Sequence, residues 1–287
     1  MLENLIEINV AFPYFWAAVF FVFGAVVGSF LNVCILRIPR GESIVTPGSH
    51  CACGKAIPLW HNIPILSWII LRGRAACCGR HFSIRYPAIE LLTAISFCTS
   101  WILFPWDLAV AAMIYISFAI VLSMQDYDSM SLPDSVLAWF IVSAVICGCF
   151  LTQDIRSMAT GLATGTTVLL MIRFFASCLL KREAMGEGDI YLMAGIGAFW
   201  GWGATLFALF VGSLIGLLFS FVAFVWRCLK RSKKVYSEDD GAVPESGVVP
   251  FGPPLLIAGT IYVVVAYFWG YQIFSETGLL FFTRLGN

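Results

Sequence analysis

The sequence predicts an all-α polytopic membrane protein of about eight transmembrane helices, with a small cytoplasmic cysteine-containing domain between spans one and two. Three observations lead there. Of the 287 residues, 60% are hydrophobic and only 12% charged, and the mean hydropathy is +0.89. A soluble domain carries about 25% charged residues, so this chain has half the charge needed to cover a surface in water. The charge is also arranged in blocks: residues 8–36 and 190–226 carry none. Finally, the basic residues sort to one side once spans are drawn.

Span one occupies residues 8–36 and ends in Arg37-Ile-Pro-Arg40. The chain opens with Glu3 and Glu7 and runs into an apolar stretch long enough to cross. That pattern reads as a retained span and not as a cleavable signal. Residues 37–85 are polar, with Pro, Gly and His throughout, and form the candidate extramembrane domain. Residues 86–272 make a seven-span membrane domain, and 273–287 a tail. Its spans fall at about residues 86–106, 108–125, 136–152 and 158–180, then two within 190–226, and a last at 254–272. Two crossings need about 40 residues, and 190–226 offers 37. The segment Gly197-Ala-Phe-Trp-Gly-Trp-Gly203 supplies a turn in its middle.

Charge decides for two. With the N-terminus outside, fourteen of seventeen basic residues face the cytoplasm, Arg156 and Arg284 lie outside, and Arg173 lies within a span. That is the asymmetry of the positive-inside rule. A single span over 190–226 would put Lys230, Arg231, Lys233 and Lys234 on the wrong side.

The net charge is zero, which leaves no basic field for nucleic acid. Most of the ten cysteines, such as Cys34, Cys98 and Cys178, sit singly in apolar runs, where a thiol behaves as a small hydrophobe. Cys51, Cys53, Cys77 and Cys78 instead share the polar loop and are candidate metal ligands. His50, His61 and His81 lie near them in sequence. A disulfide is disfavoured on a reducing cytoplasmic face.

Ionisable residues at membrane depth are costly, and each is a functional candidate. Span three runs into Met124-Gln125-Asp126-Tyr127-Asp128, and span six opens with Gly186-Glu187-Gly188-Asp189. Both lie at the cytoplasmic ends of their spans. Two carboxyls at one depth are the material of an aspartyl protease: one takes a proton from water, the other donates to the oxyanion and then to the leaving amine. Gly186 and Gly188 let backbone and substrate approach Asp189 closely. The competing reading makes these aspartates ordinary interfacial residues. Asp134, beside Pro133, suits a helix cap or first-turn acid.

The motif Gly186-x-Gly188-Asp189 after a basic loop is the GxGD signature of membrane aspartyl proteases. Further segments occur in order: Gly28-Ser-Phe-Leu-Asn-Val, Asn62-Ile-Pro-Ile-Leu-Ser-Trp68, Arg85-Tyr-Pro-Ala-Ile-Glu90, Asp126-x-Asp128-x4-Leu-Pro-Asp134 and Pro250-Phe-Gly-Pro-Pro254. On these the chain resembles the type IV prepilin peptidases nearly end to end. The resemblance implies Asp126 and Asp189 as the catalytic pair, in a bacterial inner membrane with the site facing the cytoplasm. It implies removal of a basic leader from prepilins or type II secretion pseudopilins, and N-methylation of the new terminus with S-adenosylmethionine. The substrate helix would lie in the lipid bilayer against the bundle. Glu90 is a candidate substrate contact beside Gly186 and Gly188, or a structural partner of Arg85.

The family's loop usually holds two C-x-x-C pairs that bind zinc. Here the pairs read Cys51-Ala-Cys53 and Cys77-Cys78, so the spacing departs from that pattern. No strand and glycine-rich turn of a methyltransferase is legible. The alternatives are a presenilin-type intramembrane protease, against which the cysteine-bearing loop argues, and a proton or cation transporter. For the latter an inverted repeat is expected, and none is visible.

Overall fold

The computed structural model describes residues 13–51, 53–152, 154–181, 186–230 and 250–273. The start of the first predicted span, Met185, Arg182, the basic run Arg231–Lys234 and the tail from 274 fall outside them.

Helix α1 (Pro13–Arg37) is followed by the polar loop with one short helix, α2 (Leu66–Ile70). Next come α3 (Arg85–Leu103), α4 (Trp106–Ser129) and α5 (Asp134–Ile146), the last extended by a π-helical turn, Cys147–Leu151. Then follow α6 (Ile155–Leu180), the long α7 (Glu187–Lys230) and α8 (Gly252–Ile273). No strand occurs among the described residues, as the all-α expectation requires. Six helices have the length and apolarity to cross a membrane: α1, α3, α4, α5 with its π turn, α6 and α7.

Helix α7 is two limbs. Gly201 sits at φ +82° and ψ 177°, a conformation that glycine alone adopts freely. A Cβ on Gly197 would lie 2.7 Å from Thr205 Oγ1, eight residues along, whereas a straight helix would separate them by about 12 Å. The chain therefore reverses inside the predicted turn. With two limbs for α7, and with the apolar α8, the described residues hold eight apolar segments, the number expected from charge.

Glycines set the packing. Gly24 and Gly28 on α1 meet Ala94 and Glu90 on α3 so closely that a Cβ on either would come within 2.8 Å of a backbone carbon. Gly161 and Gly165 on α6 lie against the backbone of Gly197 and Met193 on α7. Gly203 and Gly212 on α7 lie against Tyr262 and Leu255 on α8. In each case the partner number falls as the glycine's rises, so the pairs are antiparallel. Small residues four apart let membrane helices approach to backbone contact, where dispersion must replace the missing hydrophobic drive.

The core centres on Tyr115, Phe140, Phe199 and Trp200, with ring centroids 5.3 to 5.8 Å apart among the contacting pairs. The buried Tyr115 hydroxyl donates to Leu256 O at 3.1 Å, tying α4 to α8. This alternation brings the C-termini of α1, α4 and α6 and the N-termini of α3, α5, α7 and α8 to one end.

Candidate active site

At that end, Asp126 occupies the last turn of α4 and is 7% exposed. Burying a carboxyl requires a donor, and α8 provides it: Gly252 N–H donates to Asp126 Oδ2 at 2.9 Å. Gly252 opens α8 and is followed by two prolines. Proline suits a first helical position, where no intrahelical partner awaits its nitrogen. The N-terminal N–H groups of a helix form a natural cradle for a carboxylate. A side chain at 252 would fill that space, since a Cβ there would lie 2.7 Å from Asp126 Oδ2.

Asp189 lies half-buried in the first turn of α7 and within electrostatic reach of Asp126. The two predicted carboxyls thus converge although 63 residues separate them in sequence. Gly188 faces Leu132 of the Leu-Pro-Asp turn, with a Cβ 3.1 Å away, whereas a Cβ at Gly186 would meet nothing within 4 Å among the described residues. Glu187 pairs with Arg173 of α6 at 3.1 Å, which explains the one basic residue placed within a span. Asp134 sits in the first turn of α5.

Asp128, two residues beyond Asp126, faces outward and forms a two-pronged pair with Arg85 at 2.6 and 2.8 Å. This corrects one alternative for Glu90, since Arg85 is engaged elsewhere. Glu90, buried in α3, accepts from Ile65 N–H at 2.7 Å. That contact is within the protein. Gln125 is fully buried, with Nε2 donating to Cys34 O at 3.3 Å, and so fixes the end of α4 to α1.

Sequence reasoning missed Gly252, Gln125 and the Arg85–Asp128 pair. A signal for Gly252 was present: Gly-Pro-Pro before an apolar run marks a helix start, and the charge topology put that start at the depth of Asp126.

In the loop, Cys51, Cys53, Cys77 and Cys78 bring their Sγ atoms within 4.8 Å of one another. The Cys51–Cys78 and Cys53–Cys77 sulfurs are 3.5 and 3.4 Å apart. Two small turns present them. Cys51 N–H bonds to Lys55 O, and Gly54, at φ +84°, returns to Cys51 O. Gly79, at φ +68°, likewise returns to Ala75 O. A tetrahedral zinc with Zn–S of about 2.3 Å places its sulfurs roughly 3.8 Å apart, so this donor set fits the ion despite the irregular spacing in sequence. The histidines are outside the cluster, His50 bonding to Gly48 O. The backbone N–H of Cys53, then the Cys77 thiol, hold Cys51 down to about 7. Contact with Cys53 and then Cys51 pushes Cys77 up to about 12. Ligation requires thiolates, so protons would compete with a bound metal and its occupancy would fall as the pH falls. Cys51→Ser is expected to reduce co-purifying zinc to a small fraction of the wild-type stoichiometry, as read by elemental analysis. Unchanged metal content would mean the cluster is not the site.

A model of the bacterial peptidase A24 N-terminal domain matches residues 22–104, and one of the type IV leader peptidase family matches residues 113–221. A prepilin leader peptidase/N-methyltransferase of Myxococcus xanthus is 36% identical over 236 residues, covering 80% of this chain and 70% of that protein. One from Pectobacterium carotovorum is 30% identical, covering 92% of this chain and 98% of the relative. One from Neisseria gonorrhoeae is 34% identical, covering 84% and 87%. No solved structure matches the chain.

Proposed function

The chain belongs to the type IV leader peptidase family, a multi-pass membrane enzyme, and on that premise we propose that it is an aspartyl endopeptidase acting through Asp126 and Asp189. Its substrates are prepilins or type II secretion pseudopilins, cut on the cytoplasmic side of a bacterial inner membrane. The observation that carries this reading is the meeting of two carboxyls from α4 and α7 at one end of the bundle, one of them held by the start of α8.

The chemistry needs no metal at that site. One carboxylate takes a proton from water, whose oxygen attacks the carbonyl carbon of the scissile peptide. The protonated partner donates to the developing oxyanion. As the C–N bond breaks, the amine nitrogen takes up a proton and the dyad returns to one shared proton. Gly252 N–H fixes one Asp126 oxygen, so the other is free to turn toward water. The space that the described residues leave at Gly186 suits an extended substrate backbone. Zinc, held by Cys51, Cys53, Cys77 and Cys78, would supply a fold-stabilising cross-link in the loop and no part of the cleavage.

Methylation of the new N-terminus would consume S-adenosylmethionine as a second substrate, in keeping with the relatives' double name. The test is co-reconstitution with a prepilin. Leader loss is read on a gel, and a gain of one methyl group on S-adenosylmethionine addition is read by mass. An intact leader after incubation with folded enzyme would refute the peptidase reading.

Asp128→Asn separates the two neighbouring aspartates. The Arg85–Asp128 pair is about one-third exposed, so losing it costs at most about 1 kcal/mol. Cleavage is expected to continue, with a slightly lower melting temperature. Inactivity equal to that of an Asp126 variant would move the dyad to Asp128.

A further inference from the structure

The polar loop does not stand clear of the membrane. Helix α3 has 19 residues and is about 29 Å long, barely the roughly 30 Å of a hydrocarbon core. Its whole length is needed to cross, so its first residue, Arg85, lies at the lipid boundary. Glu90 is five residues further in, about 7.5 Å. Ile65 N–H, immediately before α2, reaches down to that carboxylate. Ile65 adopts φ +64° to make this contact, a conformation that a β-branched residue rarely takes.

Helix α2 therefore lies at interface depth. Its inner side is anchored, with Trp68 Nε1 donating to Phe82 O and the indole packed on Gly73. Its outer side exposes Leu66, Ile69 and Ile70, continued by Ile63 and by Trp60, which is 69% exposed. Ser67 Oγ donates to Trp60 O and binds the two parts into one surface. Such a patch in a segment otherwise polar marks an interaction site. The charges along this stretch of chain are of one sign. Between Glu42 and Glu90 there are five basic residues and no acidic one, and the exposed Arg72 and Arg74 directly follow α2.

We propose that this face is a membrane-dipping anchor: Trp60, Ile63, Leu66, Ile69 and Ile70 insert at the boundary of headgroups and acyl chains, and Arg72 and Arg74 bind anionic phospholipid headgroups. An apolar face with flanking arginines and an interfacial tryptophan is the chemistry of an element lying in the interface plane. The anchor holds the cysteine cluster down against the end of the bundle that carries Asp126 and Asp189. This inference depends on the membrane location alone and stands apart from the protease reading.

The test uses the full chain with photoreactive benzoylphenylalanine in place of Ile70, reconstituted in nanodiscs of phosphatidylethanolamine and phosphatidylglycerol. Irradiation is expected to give adducts with the mass of a phospholipid. The phosphatidylglycerol share should fall roughly fivefold for each arginine replaced in Arg72→Gln and Arg74→Gln, the weight of one basic residue at an anionic surface. No lipid adduct in a protein that melts like the wild type would overturn the proposal. So would transfer of the cross-link to a co-reconstituted prepilin, which would make the face a substrate dock. A second measurement avoids the unnatural residue: brominated phospholipid should quench wild-type fluorescence more than that of Trp60→Phe. Equal quenching would equally overturn the anchor.

Discussion

Asp126→Asn and Asp189→Asn are each expected to abolish leader cleavage while leaving the protein inserted and folded. Asparagine keeps the shape of the carboxyl and can still accept from Gly252 N–H through its oxygen, so the contact at 2.9 Å survives in Asp126→Asn. What it loses is the ability to take or give the proton. General acid–base catalysis alone contributes about 10²- to 10⁴-fold. In the proposed mechanism each carboxyl serves in two successive proton transfers, so a loss at or beyond the upper end of that range is expected. The decisive comparison is single-turnover cleavage of a prepilin by the two variants beside Asp128→Asn, with melting curves for all three. Retained cleavage in either dyad variant would dismiss the pair. Loss of activity with loss of folding would be uninformative, which is why the isosteric amide is preferred to alanine.

The largest expected effect on stability lies far from the carboxyls, at Gly161. Its Cβ position collides with the backbone oxygen of Gly197, and Gly197 in turn collides with that of Gly161. Backbone cannot rotate away as a side chain would, so even one methyl must push α6 from the first limb of α7. Overpacking of this kind costs typically 1–3 kcal/mol, occasionally more. Gly161→Leu is therefore expected to lose about 3 kcal/mol or more, seen as a large drop in melting temperature or failure to purify as a monodisperse species. Gly186→Ala is the counterpart, since a Cβ there meets nothing within 4 Å among the described residues. Its stability should be unchanged, so any loss of cleavage would report on room for substrate. A Gly161→Leu protein melting like the wild type would refute the close packing.

Legibility in the sequence followed the physics of each signal. Spans and their count were readable because lipid imposes a length and charge imposes a side. Even the reversal near Gly201 was placed, since two crossings had to share 37 uncharged residues. The convergence of Asp126 and Asp189 was suggested by their common depth and by the GxGD motif. Depth fixes one coordinate only, and which helices adjoin depends on packing. That packing rests on glycine pairs such as Gly24 with Gly28 and Gly161 with Gly165, whose spacing was in plain view but is common in apolar sequence. Gly252 escaped for a different reason. Its contribution is a backbone N–H, a group every residue but proline has, and only the fold aims it. The four cysteines illustrate the reverse. Their spacing looked unfavourable for a metal, yet turns at Gly54 and Gly79 gather the sulfurs within 4.8 Å of one another.

The turn at Gly201 bears on the lipid as well as on the fold. The first limb of α7, residues 187–200, is 14 residues and so about 21 Å long, some 9 Å less than an average hydrocarbon core. Residues 192–200 of this limb are all buried, so its sides meet neighbouring helices and not acyl chains. The 26-residue α6, packed along it through Gly161 and Gly165, is long enough to cross. A segment too short to span alone is thus carried inside the bundle, where helix packing absorbs the mismatch and the surrounding bilayer has no need to thin.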